Sequence, residues 1–230
     1  MSAEKEDIPA LKIVLLGASS TGIKSSLLRR FVSNEFTVNQ EAAIGVSLVT
    51  RNFEVDGIEV RLMIWGLHAM GQGENSAKRV HEDVSTETAG QERYHGITPA
   101  YFRNAHAAIL GFDVTRRDTM DVCDRWLSGV RSSSSSPGCV VVAVGNKIDL
   151  ADKRQISTEE ARAHFEKMGV PYFETSAKTG EGVNELFEAL VRLVIEGHFP
   201  TLVDDVNNNN RIAADEDEPR DKKEDKCTIC

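Results

Sequence analysis

A loop of small and hydroxylic residues follows the first apolar segment of the chain. Gly17 and Gly22 bound this loop, and Lys24 and Ser25 follow shortly after it. Backbone N–H groups of a glycine loop at a helix N-terminus form a cradle for anions, a lysine there neutralises phosphate, and a serine hydroxyl can bind Mg²⁺. The sequence therefore predicts a phosphate and magnesium site, whose further members are Ser19, Ser20, Thr21 and Ser26.

Two polar motifs follow later apolar segments. They consist of Asn146, Lys147 and Asp149, and of Ser176, Ala177 and Lys178. A carboxylate can accept hydrogen bonds from both the N1 and the N2 donors of guanine, a pair that adenine lacks, so Asp149 would select guanine if the site holds a purine base. The alternative is an ordinary polar turn after a strand. The second motif follows the next apolar strand, where a partner loop would lie, and this favours a base-reading pair.

Apolar periodicity predicts the elements that must position these residues. Residues 11–16 form an apolar strand, and the helical spacing of Leu27, Leu28 and Phe31 predicts a helix after the loop. Residues 51–55 and 58–64 alternate between apolar and polar side chains on either side of Asp56-Gly57. This pattern predicts an antiparallel hairpin with a tight turn.

Further strands are predicted at residues 106–112, 139–145 and 171–173, with helical periodicity between and after them. Such alternation predicts an α/β fold: a mostly parallel, twisted sheet with one antiparallel edge strand and helices on both faces. Three stretches break the pattern, namely residues 66–86, the serine run at 132–136, and everything beyond Pro200. We expect the serine run to be a flexible surface loop and the polar end to be disordered.

Composition excludes several classes of protein. The 230 residues fit one domain with a tail, and the apolar runs are strand-sized, far short of the roughly 20 residues that span a bilayer. The acidic N-terminus lacks the features of a secretory signal, so we expect a cytosolic protein. A net charge of −9 argues against binding nucleic acid. The four cysteines do not form a disulfide framework, and the six histidines share no ligand spacing for a transition metal.

The motifs resemble those of a known superfamily. Residues in the order expected for Ras-like GTPases resemble a P-loop, the switch II segment and two base-reading motifs, at 17–25, 88–94, 146–149 and 176–178. Within that superfamily the wording is similar to Rab proteins, most of all to early-endosomal Rabs, at residues 44–46, 91–95 and 101–105. The resemblance covers about residues 11–194 and implies a P-loop small-GTPase fold that binds GTP or GDP with Mg²⁺.

The resemblance also implies roles for the base-reading residues. Asn146 would tie its loop to the P-loop, Lys147 would pack over the base, and the Ala177 N–H would meet the guanine oxygen. Lys178 would cover the other face of the base. Together with Asp149 and Ser176, these residues form the predicted guanine site.

For catalysis and regulation the resemblance implies a switch. Gln91 aligns with the glutamine that orients the attacking water, Gly90 joins the nucleotide site, and Glu87 stands where a magnesium-side aspartate is expected. The implied partners are effector proteins, an exchange factor, an activating protein, a dissociation inhibitor and the prenylation machinery. We expect a monomer.

Three departures from the family pattern fall on the phosphate and magnesium side. Ile23 is an extra residue between Gly22 and Lys24, and one residue rotates a helix by roughly 100°. Either the loop bulges to absorb Ile23 or Lys24 is misaimed. Ala43 replaces the switch I threonine, and residues 66–87 interrupt a motif that the family reads without a gap.

The sequence predicts three regions: a flexible N-terminus at residues 1–10, a GTPase domain at 11–199 with a loop insertion at 66–87, and a disordered tail at 200–230. Cys227 and Cys230 end this tail and resemble the prenylation signals of Rab proteins. A Cys-x-x-Cys metal or redox pair is the alternative, but it has no folded scaffold here. We therefore expect attachment to the cytosolic face of intracellular membranes, most of all early endosomes, with exchange into the cytosol.

Three functional interpretations are open at this stage. The first is a Rab-like switch in vesicle traffic with impaired GTP hydrolysis, for which Gln91 and the intact base motifs argue. The second is a membrane-tethered interaction protein that keeps the fold without catalysis, which Ile23, Ala43 and the insertion favour. The third is an active Rab in which residues 66–86 come from a retained intron or a wrong gene model.

Overall fold

The computed structural model describes residues 8–18, 20–36, 45–68, 103–133 and 138–200. Within these ranges the elements in chain order are β1 (Ala10–Gly17), a π-helical turn (Ile23–Leu27), α1 (Leu28–Ser33), β2 (Gly45–Val55), β3 (Ile58–His68), β4 (Ala107–Asp113), α2 (Asp118–Ser132), β5 (Val140–Asn146), a 3-10 turn (Ala151–Lys153), α3 (Thr158–Lys167), β6 (Tyr172–Thr175) and α4 (Val183–His198).

The six described strands form one sheet in the order β2-β3-β1-β4-β5-β6. Strand β2 is an edge strand antiparallel to β3, and the remaining neighbours are parallel. The predicted α/β class with one antiparallel edge strand is confirmed. The chain places β3 on one side of β1 and β4 on the other, so a crevice lies at their carboxyl ends, where sheets of this kind bind ligands.

The hairpin between β2 and β3 turns at Asp56 and Gly57. Both residues have positive φ, 54° and 79°, and Val55 pairs with Ile58 across the turn. Positive φ at both central positions is typical of the type I′ turn, whose twist matches that of the flanking strands. The aspartate-glycine pair therefore gave the correct prediction of this hairpin.

Two predicted irregular stretches begin within regular elements. Strand β3 continues through residues 66–68, which pair with residues 47–45 of β2, so the prediction of a loop beginning at residue 66 is wrong at its start. The ladder to β2 satisfies the backbone of these three residues, which gives them a reason to stay extended. Likewise Ser132, the first serine of the run, is the last residue of α2. Residues 69–87 and 134–137 lie outside the described residues.

Two apolar layers cover the sheet because side chains alternate along its strands. From β1, Leu11, Ile13 and Leu15 belong to the layer under α1 and α4, whereas Val14 and Leu16 belong to the layer under α2 and α3. This alternation at period two is the expected geometry of a strand that is buried on both faces. Helices on both faces therefore hold the carboxyl ends of the strands in fixed positions.

Helix α1 is anchored by aromatic packing. The ring of Phe31 stacks on that of Phe187 with 3.6 Å between centroids, and it meets Phe53 edge-on at 5.4 Å. Aromatic pairs of this kind contribute roughly 0.5–1.5 kcal/mol beyond the area they bury. The short helix that follows the phosphate loop is thus fixed by contacts to α4 and β2.

The described helices include none long and apolar enough to cross a membrane. Cys123 and Cys139 are free thiols, the first buried and the second partly buried. Burial raises the pKa of both thiols, that of Cys139 to about 11. Neither cysteine is therefore a reactive thiolate near neutral pH.

Candidate nucleotide site

The loop after β1 takes positive φ at two positions. Ser20 has a φ of 63° and Gly22 a φ of 81°. A β-carbon on Gly22 would lie 2.8 Å from the side-chain nitrogen of Asn146, so only glycine fits there. The buried Thr21 between them donates its hydroxyl to the carbonyl of Ala18 at 3.0 Å. The loop is therefore a tight turn closed over the end of β1.

Ile23 is absorbed by a π-helical turn. The Leu27 N–H donates to the Gly22 carbonyl at 2.8 Å, five residues back instead of the four of an α-helix. A single π-turn accommodates one extra residue in a helix, and such turns are frequent at functional sites. Of the two alternatives that the sequence left open, the structure shows the bulging loop.

The side chain of Ile23 fills a space that the sheet leaves for it. It is fully buried, and a β-carbon on Gly111 of β4 would lie 2.0 Å from its Cγ1 atom. The extra residue thus packs on β4 at the position where Gly111 pairs with Gly17. The glycine in β4 and the isoleucine in the loop are complementary in shape.

Lys24 folds back over the loop. Its Nζ donates to the carbonyl of Gly17 at 3.1 Å. Burial lowers the pKa of this amine to about 8, and no carboxylate of the described residues opposes the shift. A buried ammonium facing a carbonyl, at a loop rich in backbone N–H groups, suits an anion such as phosphate.

Asn146 joins three parts of the site. Its side-chain nitrogen donates to the carbonyl of Thr21 at 2.9 Å, and its oxygen accepts from the Thr175 hydroxyl at 3.2 Å and the Ala177 N–H at 3.1 Å. The residue is buried, so each contact replaces a hydrogen bond to water. The amide connects the phosphate loop, the end of β6 and the second polar motif.

Lys147 extends from the same loop to the phosphate loop. It has a φ of 71°, donates to the Ser20 carbonyl at 2.8 Å, and pairs with the Asp113 carboxylate at 2.6 Å. Asp113 is only 2% exposed and also accepts from the N–H and hydroxyl of Thr115. A buried, fully hydrogen-bonded carboxylate therefore holds Lys147 in an unusual backbone conformation.

Asp149 presents a carboxylate with free acceptor capacity. One of its oxygens accepts the Ser176 hydroxyl at 2.7 Å, and the other lies 3.8 Å from the ammonium of the exposed Lys178. The hydroxyl orients the carboxylate without using all of its lone pairs. This arrangement can accept the paired N1 and N2 donors of guanine.

Comparison with known protein families now decides the class of the chain. The Ras family matches it over residues 12–81 and 69–196. The chain belongs to the Ras family. Two relatives are Ras-related protein YPTC6 of Chlamydomonas reinhardtii, 35% identical over 206 residues, and Ras-related protein RABA4a of Arabidopsis thaliana, 35% identical over 207 residues. Each match covers 90% of this chain, with 85% of the first relative and 77% of the second, and the chain is a Rab-like small GTPase.

Ras-family GTPases bind GTP or GDP, typically with Mg²⁺, and the described residues of this Rab-like protein fit such a ligand. The buried Lys24 amine suits the phosphates, and the oriented Asp149 carboxylate suits the base. One predicted donor is already engaged, because the Ala177 N–H bonds Asn146, so a guanine oxygen would have to share it.

The other predicted site residues of this GTPase divide into two groups. Ser25 and Ser26 lie partly buried in the π-helical turn, and the ammonium of Lys178 lies on the solvent side of Asp149. Residues that lie outside the described ranges are Ser19, Ala43, Glu87, Gly90, Gln91, Cys227 and Cys230.

Sequence reasoning missed two residues of this site. Asp113 is the one carboxylate in the otherwise apolar β4, and it lies at the carboxyl end of that strand. Its position was a usable signal, because ligands bind at this edge of such sheets. The predicted strand ended at residue 112 and so left Asp113 out. Arg30 on α1 donates to the carbonyls of Ala177 and Lys178. No sequence pattern announces Arg30, because its partners are about 150 residues away along the chain.

Proposed function

We propose that this chain is a guanine-nucleotide switch that acts in vesicle traffic. The observation that carries the proposal is the Asn146 amide, which bonds the phosphate loop on one side and the Ser176-Ala177-Lys178 loop on the other. A single bound nucleotide would contact both loops that this amide joins. Lys24 would neutralise phosphate, Asp149 would select guanine, and Mg²⁺ would supply charge neutralisation at the phosphates.

Titration with a fluorescent GDP, competed by ATP and by XTP, tests the base preference. We expect ATP to compete at least 100-fold more weakly than GTP, an order-of-magnitude estimate for a site whose buried acceptor is left unpaired. Asp149→Asn should shift the preference towards xanthine, because the amide offers a donor where the carboxylate accepts.

The matched control for this experiment is Asp152→Asn. Asp152 is exposed on the 3-10 turn three residues further on, so its substitution makes the same chemical change outside the site. Asp152→Asn should leave the nucleotide preference unchanged. Equal competition by ATP and GTP in the unaltered chain would refute the guanine site.

We further propose that GTP hydrolysis is slow. Because the π-helical turn absorbs Ile23, we attribute the slow hydrolysis to two other departures. Ala43 has no oxygen for Mg²⁺, and Glu87 follows an insertion. Loss of one well-placed electrostatic contact commonly costs on the order of 100-fold in rate. Gln91 would remain as the residue that orients water.

Single-turnover hydrolysis should be compared between this chain and a repaired version, both with an activating protein. The repair is Ala43→Thr, removal of residues 66–86 and Glu87→Asp, with and without deletion of Ile23. Residues 87–89 would then take the places of residues 66–68 opposite β2, so the ladder is preserved. Equal rates in the original and repaired chains would contradict slow hydrolysis.

The non-catalytic alternative shares the binding site but not the switch. It is distinguished by an interaction surface that does not change when GDP is replaced by GTP. The remaining alternative is a retained intron or a wrong gene model, and it accords with the two separate family matches that overlap at residues 69–81. A transcript read across residues 65–88 separates this alternative from a genuine insertion.

We infer that the protein works on the cytosolic face of endomembranes, with the early endosome as the specific membrane. The support is the Rab-like sequence together with the terminal Cys227 and Cys230. Effectors, an exchange factor, an activating protein, a dissociation inhibitor and the prenylation machinery are the proposed partners of a monomer.

A further inference from the structure

Arg30 connects α1, the helix after the phosphate loop, to residues 176–180, which we call the base-reading loop. Its Nε donates to the Ala177 carbonyl at 2.9 Å, and one terminal nitrogen donates to the Lys178 carbonyl at 2.6 Å. The other terminal nitrogen donates to the backbone and side-chain oxygens of Asn34 at 2.8 and 3.1 Å. The guanidinium thus serves acceptors from two distant segments at once.

The base-reading loop is held from both sides. On one side the Ala177 N–H bonds the Asn146 oxygen, and on the other the Ala177 and Lys178 carbonyls bond Arg30. The turn at Gly180 packs on the arginine stem, where an added β-carbon would lie 3.6 Å from its Cδ atom. Asn146 thus bonds the peptide unit before Ala177, and Arg30 bonds the next two peptide units, so the backbone around Ala177 has little freedom to rotate.

The geometry matters because a guanidinium is a planar fork with several donors. Arginine can bond two successive carbonyls and a third acceptor simultaneously, whereas lysine is a point charge on a flexible stem. Hydrogen bonds to charged groups contribute more than neutral ones. Arg30 lies within α1 next to the buried Phe31, so its position depends on the packing of that helix.

We propose that Arg30 is a positioning residue for guanine recognition: it fixes the Ala177 N–H where the base oxygen must meet it. The inference rests on the proposed function of guanine binding. It assigns to α1 a role in reading the base as well as in following the phosphate loop. Substitution of Arg30 should therefore weaken recognition of the O6 atom while leaving recognition of the N2 group to Asp149.

The test measures dissociation of GDP and of two analogues from the full chain by stopped flow. The riboside diphosphate of 2-aminopurine lacks O6 and also the N1 proton, so its difference from GDP contains a loss at Asp149 that should be the same in every Arg30 variant, whereas IDP lacks the N2 group alone. In the unaltered chain both analogues should leave faster than GDP. In Arg30→Ala, GDP release should accelerate by about tenfold, the equivalent of one charged hydrogen bond. We call the ratio of two release rates a gap. The gap between GDP and the 2-aminopurine analogue (the O6 gap) should narrow, and the gap between GDP and IDP should persist.

Two further variants and one further measurement complete the experiment. Arg30→Lys should recover only part of the O6 gap, because a single ammonium cannot reproduce the planar fork that reaches one oxygen each on Ala177 and Lys178 and two on Asn34. Arg192 lies on α4 and pairs at the surface with Asp56 of the β2–β3 turn. Arg192→Ala breaks this exposed pair, so it is the matched control and should change none of the gaps. Hydrogen exchange of residues 176–180 should accelerate in Arg30→Ala both with and without nucleotide.

The outcomes separate the two proposals. If the unaltered chain binds no GDP, the proposed function fails, and the hydrogen exchange still reports whether Arg30 holds the loop. If GDP binds but Arg30→Ala narrows the O6 gap and the IDP gap equally, then Arg30 is a general structural residue and the inference is wrong. The same conclusion follows if Arg30→Lys restores every release rate to that of the unaltered chain. Should Arg30→Ala fail to fold, Arg30→Lys alone decides the matter through the O6 gap.

Discussion

Lys24 carries a proton equilibrium that nucleotide should shift. Burial places the pKa of its ammonium at about 8 in the free protein, and a bound phosphate would favour the charged form and raise the pKa towards its ordinary value. Below pH 8 the amine is protonated with or without ligand, so affinity is flat. Above pH 8 binding must take up a proton, so GDP affinity should fall, by about tenfold between pH 7 and 9.

Equilibrium titrations of GDP at pH 7, 8 and 9 check this expectation. In Lys24→Gln there is no amine to titrate, whereas ionisation of the guanine base still affects binding. The difference between the two proteins is therefore the contribution of the Lys24 amine to the pH dependence. It should bind more weakly than the unaltered chain at pH 7 and lose the lysine-dependent part of the decline. Parallel declines in both proteins would contradict the linkage.

Asp113 should influence nucleotide binding without touching the nucleotide. Asp113→Asn keeps one acceptor oxygen for Thr115 but can turn an amide N–H towards the Lys147 ammonium, replacing a 2.6 Å ion pair with donor facing donor. We expect a loss of about 1–3 kcal/mol in the free energy of unfolding and faster GDP release. Urea denaturation and a GDP-release assay provide the measurements.

Asp56→Asn is the control for this change. It makes the same substitution at an exposed carboxylate that pairs with Arg192, and exposed pairs contribute little. Its stability and GDP release should match those of the unaltered chain. If Asp113→Asn behaves like Asp56→Asn, the buried pair does not position Lys147.

At the scale of elements, the π-helical turn and β4 should be energetically coupled. Ile23→Ala creates a cavity and should cost roughly 2–5 kcal/mol. Gly111→Ala places a methyl group 2.0 Å from the Ile23 Cγ1 position and should cost roughly 1–3 kcal/mol. The double variant should lose less than the sum, because truncating Ile23 removes the two nearest of the three side-chain atoms that meet the new methyl group and leaves only its Cβ, at 2.7 Å.

Urea denaturation of the four proteins, at one fixed excess of GDP, measures the coupling energy. Gly129→Ala is the control, because nothing lies within 4 Å of its added β-carbon. As an alanine within α2 it should stabilise the protein slightly. Strict additivity of Ile23→Ala and Gly111→Ala would show that the two elements do not share the space.

The elements differ in how far local sequence determines them. The hairpin was predictable from Asp56-Gly57, and the parallel strands were predictable from apolar runs, because turn chemistry and burial are encoded locally. The extension of β3 to His68 was not predictable, since it depends on a ladder to β2 instead of on its own residues. Strand ends are decided by pairing, which a linear pattern does not contain.

The site shows the same division. Asn146, Lys147 and Asp149 could be assigned because they lie close together along the chain at the carboxyl end of β5. Ile23 marked a departure, but only the bond from Leu27 to Gly22 reveals how the loop takes it up. Arg30 could not be found at all, because hydrogen bonds between distant segments leave no periodic trace.

At the scale of the whole molecule, the tail should depend on lipid for membrane attachment. The run 215–218 is acidic within a chain of net charge −9, so anionic lipid should repel it. One lipid chain binds membranes only marginally and two bind stably. We expect fractionation of cells to find the unaltered chain with membranes and the Cys227→Ser, Cys230→Ser double variant in the soluble fraction.

Single variants refine this expectation. If both cysteines carry lipid, Cys227→Ser and Cys230→Ser should each give partial, reversible attachment. Cys123→Ser is the control, because that thiol is buried in the folded domain. A double variant that still sediments with membranes would assign attachment to another part of the chain.

The π-helical turn confines the effect of an added residue to the stretch between Gly22 and Leu27. Beyond it, Leu27, Leu28 and Phe31 enter the core, and the sheet keeps an unbroken order of strands. A lineage could therefore gain this residue through one in-frame codon insertion, provided that glycine stands at position 111 of β4 to leave room for it. A search for phosphate loops by a fixed residue spacing would miss the loop between Gly17 and Lys24, whereas a search by hydrogen-bond partners would find it.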